Sequence, residues 1–68
     1  MREKGLVKTY FKDRGFGFIA RIGAPDVFFH INQVYWQDEP VLINHGALAE
    51  FVVQDTSKGW RALAVVLV

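Results

Sequence analysis

Two short stretches limit what this chain can fold into: Arg14-Gly-Phe-Gly-Phe-Ile19 and Asp26-Val-Phe-Phe-His-Ile31. In an extended strand successive side chains point to opposite faces. Read that way, Phe16 and Phe18 share one face of the first stretch, with Gly17 and Ile19 on the other. Phe28 and His30 share one face of the second, opposite Val27, Phe29 and Ile31. Period 2 allows one choice per strand, so turning the Phe16 set inward would expel Ile19, Val27 and Phe29. If the strands are neighbours, flat rings gather on one outer surface. Soluble domains rarely expose such a cluster without a ligand to cover it, and unstacked nucleotide bases are a fitting one.

The rest of the chain reads as strand as well. Apolar residues alternate or run in short blocks, with Gly, Pro, Asp and Asn between them, and no segment repeats at helical spacing. The pattern predicts strands over 5–11, 15–22, 26–31, 47–54 and 60–67. Lys12 to Gly15, Gly23-Ala24-Pro25 and Asp55 to Gly59 read as turns. Asn32 is the expected cap of a single helical turn through Gln33 to Tyr35. Residues 36–45 read as a long loop anchored at Val41 or Leu42, and Leu48 with Phe51 or Val53 as core. Alternation is imperfect in the first strand, so the pattern does not say which face Tyr10 takes. Gly15 and Gly17 fit a sharply bent strand. Five short strands with frequent turns indicate an all-β fold, a small five-stranded antiparallel barrel, whose closure removes exposed edges.

At 68 residues the chain is one domain, 1–68, with 51% apolar residues for a core and no cysteine for a disulfide or thiolate site. The N-terminus lacks a signal-peptide pattern, and the longest apolar run, Ala62 to Val68, is too short to span a bilayer. A cytoplasmic protein with no membrane partner is expected. Net charge is only +1, but residues 1–21 hold six bases and two acids, a net of +4, whereas residues 22–57 hold five acids and no Lys or Arg. One face can therefore be positive although the whole is nearly neutral. Lys8 and Arg14, then Lys12 and Lys58, are candidates to meet phosphates. An enzyme is excluded on inventory, for there is no Ser–His–acid set, no phosphate loop and no carboxylate pair in an enclosed cleft. With His30 and His45 the only histidines, no metal site and no cofactor are expected.

The same residues resemble a known family. Gly5-Leu-Val-Lys8, Arg14-Gly-Phe-Gly-Phe-Ile19 and Asp26-Val-Phe-Phe-His-Ile31 look like the cold-shock domain. The second and third resemble its RNP1 and RNP2 motifs, with Arg14 for Lys, Phe29 for Val and Ile31 for Phe. Gly46 and Lys58-Gly59…Ala62 also fall where the family has a glycine and a hairpin. The resemblance implies an OB-fold barrel binding single-stranded RNA or DNA on the face of its first three strands, as an RNA chaperone or a regulator of transcription or translation. It implies nucleic-acid contacts from Lys8, Tyr10, Arg14, Phe16, Phe18, Phe28, His30 and Lys58. Tyr35 and Trp36 lie near the position of a family loop aromatic, and Trp36 is the candidate contact. There are departures. Thr9 stands for an exposed Trp, Tyr10 for Phe, and Phe11 for Asn. Trp60 is not part of the pattern and reads as packing. The alternative reading is a protein-interaction or oligomerisation module on the same fold, motivated by Phe11, Ile31, Trp36, Trp60 and the apolar C-terminal run. A monomer or a dimer is compatible with either.

Overall fold

The structure is a computed structural model, and it describes residues 2–35 and 43–67. The strands are β1 (Glu3–Phe11), β2 (Phe16–Arg21), β3 (Ala24–His30), β4 (Leu48–Thr56) and β5 (Gly59–Leu67), with a 3-10 turn at Ile31–Gln33. Strand ends lie within two residues of the pattern-based boundaries. The strands close into a barrel in the order β1-β2-β3-β5-β4.

One junction departs from the antiparallel expectation. β3 and β5 pair in parallel, with Phe28 beside Arg61, while the other four junctions are antiparallel. The reason is parity: a closed ring of five strands cannot alternate direction all the way round, so one pair must run the same way. That junction sets β5 beside the aromatic strands.

Val7, Ile19, Val27, Phe29, Val34, Ala49, Phe51, Ala62 and Val65 form the buried core. Leu48, expected inside, is 39% exposed, and Ala49 takes the inward place. Leu48 pairs with Leu6 on the outer side of the β1–β4 ladder. Gly17 faces the core at a close crossing. A Cβ there would lie 2.9 Å from Tyr10 Cα and from Phe29 Cε1, and would also strike the Thr9 carbonyl oxygen. Only glycine lets β1 and β2 approach so closely.

Irregularities in the ladders re-aim particular residues. The β1–β2 register shifts between Val7 and Thr9, so Lys8 and Thr9 together oppose the outward side of β2. A shift between Ile19 and Arg21 falls opposite Ala24 to Val27, where Pro25 sits inside β3. The expected Gly23-Ala24-Pro25 turn is therefore tighter, formed by Ile22 and Gly23, with Gly23 at φ 71°. A bulge tolerates Pro because the ladder is already interrupted there. In β5 a third shift contains Ala64 at φ 51°. Its N–H donates to Gln33 Oε1 (3.2 Å), and its carbonyl accepts from the Arg2 guanidinium (2.8 Å).

The helical turn begins two residues earlier than expected and has a different cap. His30 is the N-cap, its Nδ1 accepting the Asn32 N–H at 3.1 Å. Val34 then enters the core, and the Tyr35 N–H donates to the Val65 carbonyl at 2.8 Å. Trp36, Val41 and Leu42 lie outside the described residues. Among the described residues no helix is long and apolar enough to cross a membrane.

Candidate nucleic-acid interface

The site is built on the outward positions of β1, β2 and β3. Residues directly opposite in an antiparallel pair share a face. Register sets Phe16 opposite His30 and Phe18 opposite Phe28 across β2–β3, and Phe11 opposite Phe16 and Thr9 opposite Phe18 across β1–β2. The rings touch one another. Centroid separations are 5.2 Å for Phe11–Phe16, 5.6 Å for Phe16–Phe28, 6.0 Å for Phe18–Phe28 and 6.4 Å for Phe16–Phe18. Phe16–Phe18 and Phe18–Phe28 are nearly edge-on, at 88° and 70°. Mutual packing thus restrains each ring while leaving it half-exposed.

Tyr10 is not part of this surface. It pairs with Gly17 on the inner side and stacks on buried Phe29, with centroids 5.9 Å apart and planes at 16°. The bulge after Val7 is the cause, since it places both Lys8 and Thr9 outward before Tyr10 turns in. Phe11 takes the outward position and is 44% exposed. The Asn-to-Phe departure noted in the sequence therefore adds a ring to the face rather than to the core. The imperfect alternation of β1 was the signal of the bulge.

His30 stands beside Phe16 with its ring fixed by the Asn32 N–H. With Nδ1 accepting, the neutral imidazole carries its proton on Nε2 and presents a donor there. Lys8 Nζ lies 3.0 Å from Asp26 Oδ2. The pair is largely exposed, and such pairs contribute about 0–1 kcal/mol, so a phosphate can compete for the ammonium. Arg14 and Lys12 are exposed in the β1–β2 turn, and Lys58 is exposed in the β4–β5 hairpin.

Two residues that the pattern did not assign to the face adjoin it. Arg61 holds its guanidinium 5.9 Å from the Phe28 ring centre, and its buried Nε has no hydrogen-bond partner among the described residues. Trp60, expected to pack inside, is 40% exposed, because β5 begins at the rim of the barrel and Ala62 is its first buried residue. Both follow from the β3–β5 pairing, which no local pattern carries. Among the described residues no three His, Asp or Glu side chains come together to hold a metal ion.

Comparison with known proteins agrees with this architecture. Residues 3–68 match the family model described as the 'Cold-shock' DNA-binding domain. The chain belongs to the cold-shock family. Cold-shock domains are in general nucleic-acid-binding modules and not typically enzymes. This cold-shock domain is 36% identical over 63 residues to the retron Se72 cold shock-like protein of Salmonella heidelberg, covering 93% of this chain and 94% of that one. It is 38% identical over 63 residues to the cold shock-like protein CspB of Yersinia pestis, covering 91% and 89%. It is 36% identical over 64 residues to the cold shock protein CspA of Staphylococcus aureus, covering 94% and 96%. The Drosophila Unr CSD456 structure superposes with a TM-score of 0.80 at 23% identity, over all of this chain and 27% of that one, a likeness of fold.

Proposed function

We propose that this cold-shock domain binds single-stranded RNA or DNA by stacking unpaired bases on Phe11, Phe16, Phe18, Phe28 and His30. The observation that carries the reading is the continuous sheet of half-exposed rings, with neighbouring centroids 5.2–6.4 Å apart. Lys8, Arg14, Lys58 and Arg61 steer the backbone, with Trp36 a further candidate from the sequence pattern. Each stacked base contributes about 1–3 kcal/mol and every base has a π-face, so binding tolerates sequence. A base stacked on protein cannot pair, so the bound strand is held open. This is the physical basis for a role as an RNA chaperone, or as a regulator of transcription or translation in the cytoplasm.

The test is a titration of pyrimidine-rich RNA and DNA oligonucleotides at low salt, comparing wild type with Phe16→Ala/Phe28→Ala. The folded double variant is expected to lose most of its affinity, and wild-type affinity in that variant refutes the stacking face. Each single-strand phosphate contact adds about −0.7 to the slope of log K against log salt, so a few contacts give a slope of roughly −2 to −3.

One observation favours the second reading. Leu6, Ala20, Ile22 and Leu48 line a groove of about 320 Å³ on the outer surface of β1, β2 and β4. Leu6 and Ile22 are 50% and 104% exposed. Sedimentation at several concentrations, with and without oligonucleotide, tests it. A stable oligomer indifferent to nucleic acid would replace the primary reading.

A further inference from the structure

We propose that the cleft between Trp60 and the Phe18–Phe28 pair is an additional nucleobase subsite, in which one unpaired base of a bound single strand lies against the Trp60 indole. The proposal rests on the single-strand reading above and extends its footprint onto β5.

The cleft has a volume of about 360 Å³ and is lined by Phe18, Phe28, Thr56, Lys58, Trp60 and Arg61. That is the lower end of the range for sites that hold a small organic ligand. Its walls carry two cations and no carboxylate, which suits the anionic backbone of a nucleotide and opposes a basic peptide. It opens directly onto the aromatic face, since Phe18 and Phe28 belong to both. A strand lying across that face can reach the cleft without leaving the protein.

Trp60 is held ready. The Arg21 guanidinium lies 5.6 Å from the centre of its ring. Arg21 is itself fixed: its side chain is 9% exposed, Nη1 lies 3.2 Å from Glu3 Oε1, and Nε donates to the Pro25 carbonyl at 2.8 Å. Arg21 does not line the cleft, so the cleft opens on ring surface that Arg21 leaves uncovered. The hairpin leading to Trp60 is also tied. Thr56 Oγ1 donates to the Gly59 carbonyl at 2.7 Å and accepts the Lys58 N–H at 3.2 Å. A ring already restrained loses little freedom when a base stacks on it.

Arg61, which also lines the cleft, lies against Phe28. A guanidinium plane can stack on a base or meet its phosphate. The subsite therefore combines an indole, a guanidinium and the exposed Lys58. It also offsets the ring missing at Thr9. Thr9 borders Phe18 from the β1 side, whereas Trp60 borders it from the β5 side. The footprint is displaced toward the β4–β5 hairpin, not merely reduced.

The experiment is a length series of oligothymidylates titrated against wild type, Trp60→Ala, Trp60→Phe and Phe16→Ala/Phe28→Ala, with folding checked by circular dichroism. Wild type should gain affinity at the length that reaches the cleft. Trp60→Ala should lose that gain, about tenfold, and keep its affinity for the shorter oligomers. Trp60→Phe should retain most of it. Wild-type behaviour of Trp60→Ala at every length, with Phe16→Ala/Phe28→Ala weakened, overturns the subsite and leaves the aromatic face standing. No binding by wild type overturns both. If Trp60→Ala fails to fold, the indole N–H resonance of Trp60 in the wild-type protein decides, assigned by its loss in Trp60→Phe. A shift on saturation supports the subsite, and an unmoved resonance refutes it.

Discussion

Adjacent residues Tyr10 and Phe11 should fail in opposite ways when truncated. Tyr10 is stacked on the buried Phe29 ring. Truncating a fully buried Phe to Ala costs about 3–5 kcal/mol. Tyr10 is half-buried, so roughly 2 kcal/mol is lost with its packing, and about 0.5–1.5 kcal/mol more with the aromatic pair. A total of about 2.5–3.5 kcal/mol at about 4–8 °C per kcal/mol lowers Tm by roughly 10–28 °C in a domain of this size. Binding measured well below that Tm should hardly change, because the outer face is intact. Phe11 is 44% exposed and leans on Phe16. Phe11→Ala should cost less than about 1 kcal/mol of stability, by partial loss of one exposed contact. It should weaken oligonucleotide binding by the ~1–3 kcal/mol of one stacked base, roughly 5- to 150-fold. Thermal melts followed by circular dichroism and anisotropy titrations of a labelled oligonucleotide give both numbers. A Tyr10→Ala protein with wild-type Tm and weak binding, together with Phe11→Ala binding normally, would show the register assignment in β1 to be wrong.

Substitutions at three further positions separate local causes. Gly17→Ala places a Cβ against the backbone of β1 and the Phe29 ring; backbone cannot yield as a flexible side chain would, so a loss of about 3 kcal/mol or outright failure to fold is expected in a denaturant titration. Ala64→Gly should raise stability by roughly 0.5–1 kcal/mol, because left-handed backbone costs a non-glycine residue about 1–2 kcal/mol and glycine's extra unfolded-state freedom returns part of that; a lower Tm would contradict it. His30→Asn keeps a side-chain acceptor for the Asn32 N–H but removes the ring, so Tm should hold within a few degrees by roughly 0.5 kcal/mol of change while binding weakens. His30→Ala should lose both, with about 0.5–2 kcal/mol from the cap, and equal binding by Asn and wild type at this position would remove His30 from the face.

In β2 and β3 the sides of the residues could be read directly. Between Phe16 and Ile19, and between Val27 and His30, no register shift intervenes. Alternation alone therefore put Ile19, Val27 and Phe29 inward, and Phe16, Phe18, Phe28 and His30 outward. β1 was readable only as far as Val7, because the bulge after it exchanges the sides of Tyr10 and Phe11. In β4 the larger residue, Leu48, looked like the core residue. The barrel instead has room for Ala49 inside and covers part of Leu48 with Leu6 outside. The cap moved from Asn32 to His30 for a local reason: a His ring can reach the N–H two residues on as an Asn side chain would.

By itself the sequence determined the strand content, the turn positions to within two residues, the need for a closed barrel and the aromatic character of one face. All of these follow from period-2 patterning and local turn chemistry, which act over a few residues. The tertiary structure decided which ring of the Tyr10–Phe11 pair reaches solvent, and that Arg61 and Trp60 stand beside Phe28 and Phe18. Those outcomes depend on a bulge and on a parallel junction between β3 and β5, strands separated by β4 in the chain. A closed ring of five strands must contain such a junction. Which strands form it, and what they bring to the binding face, depends on how the whole barrel closes.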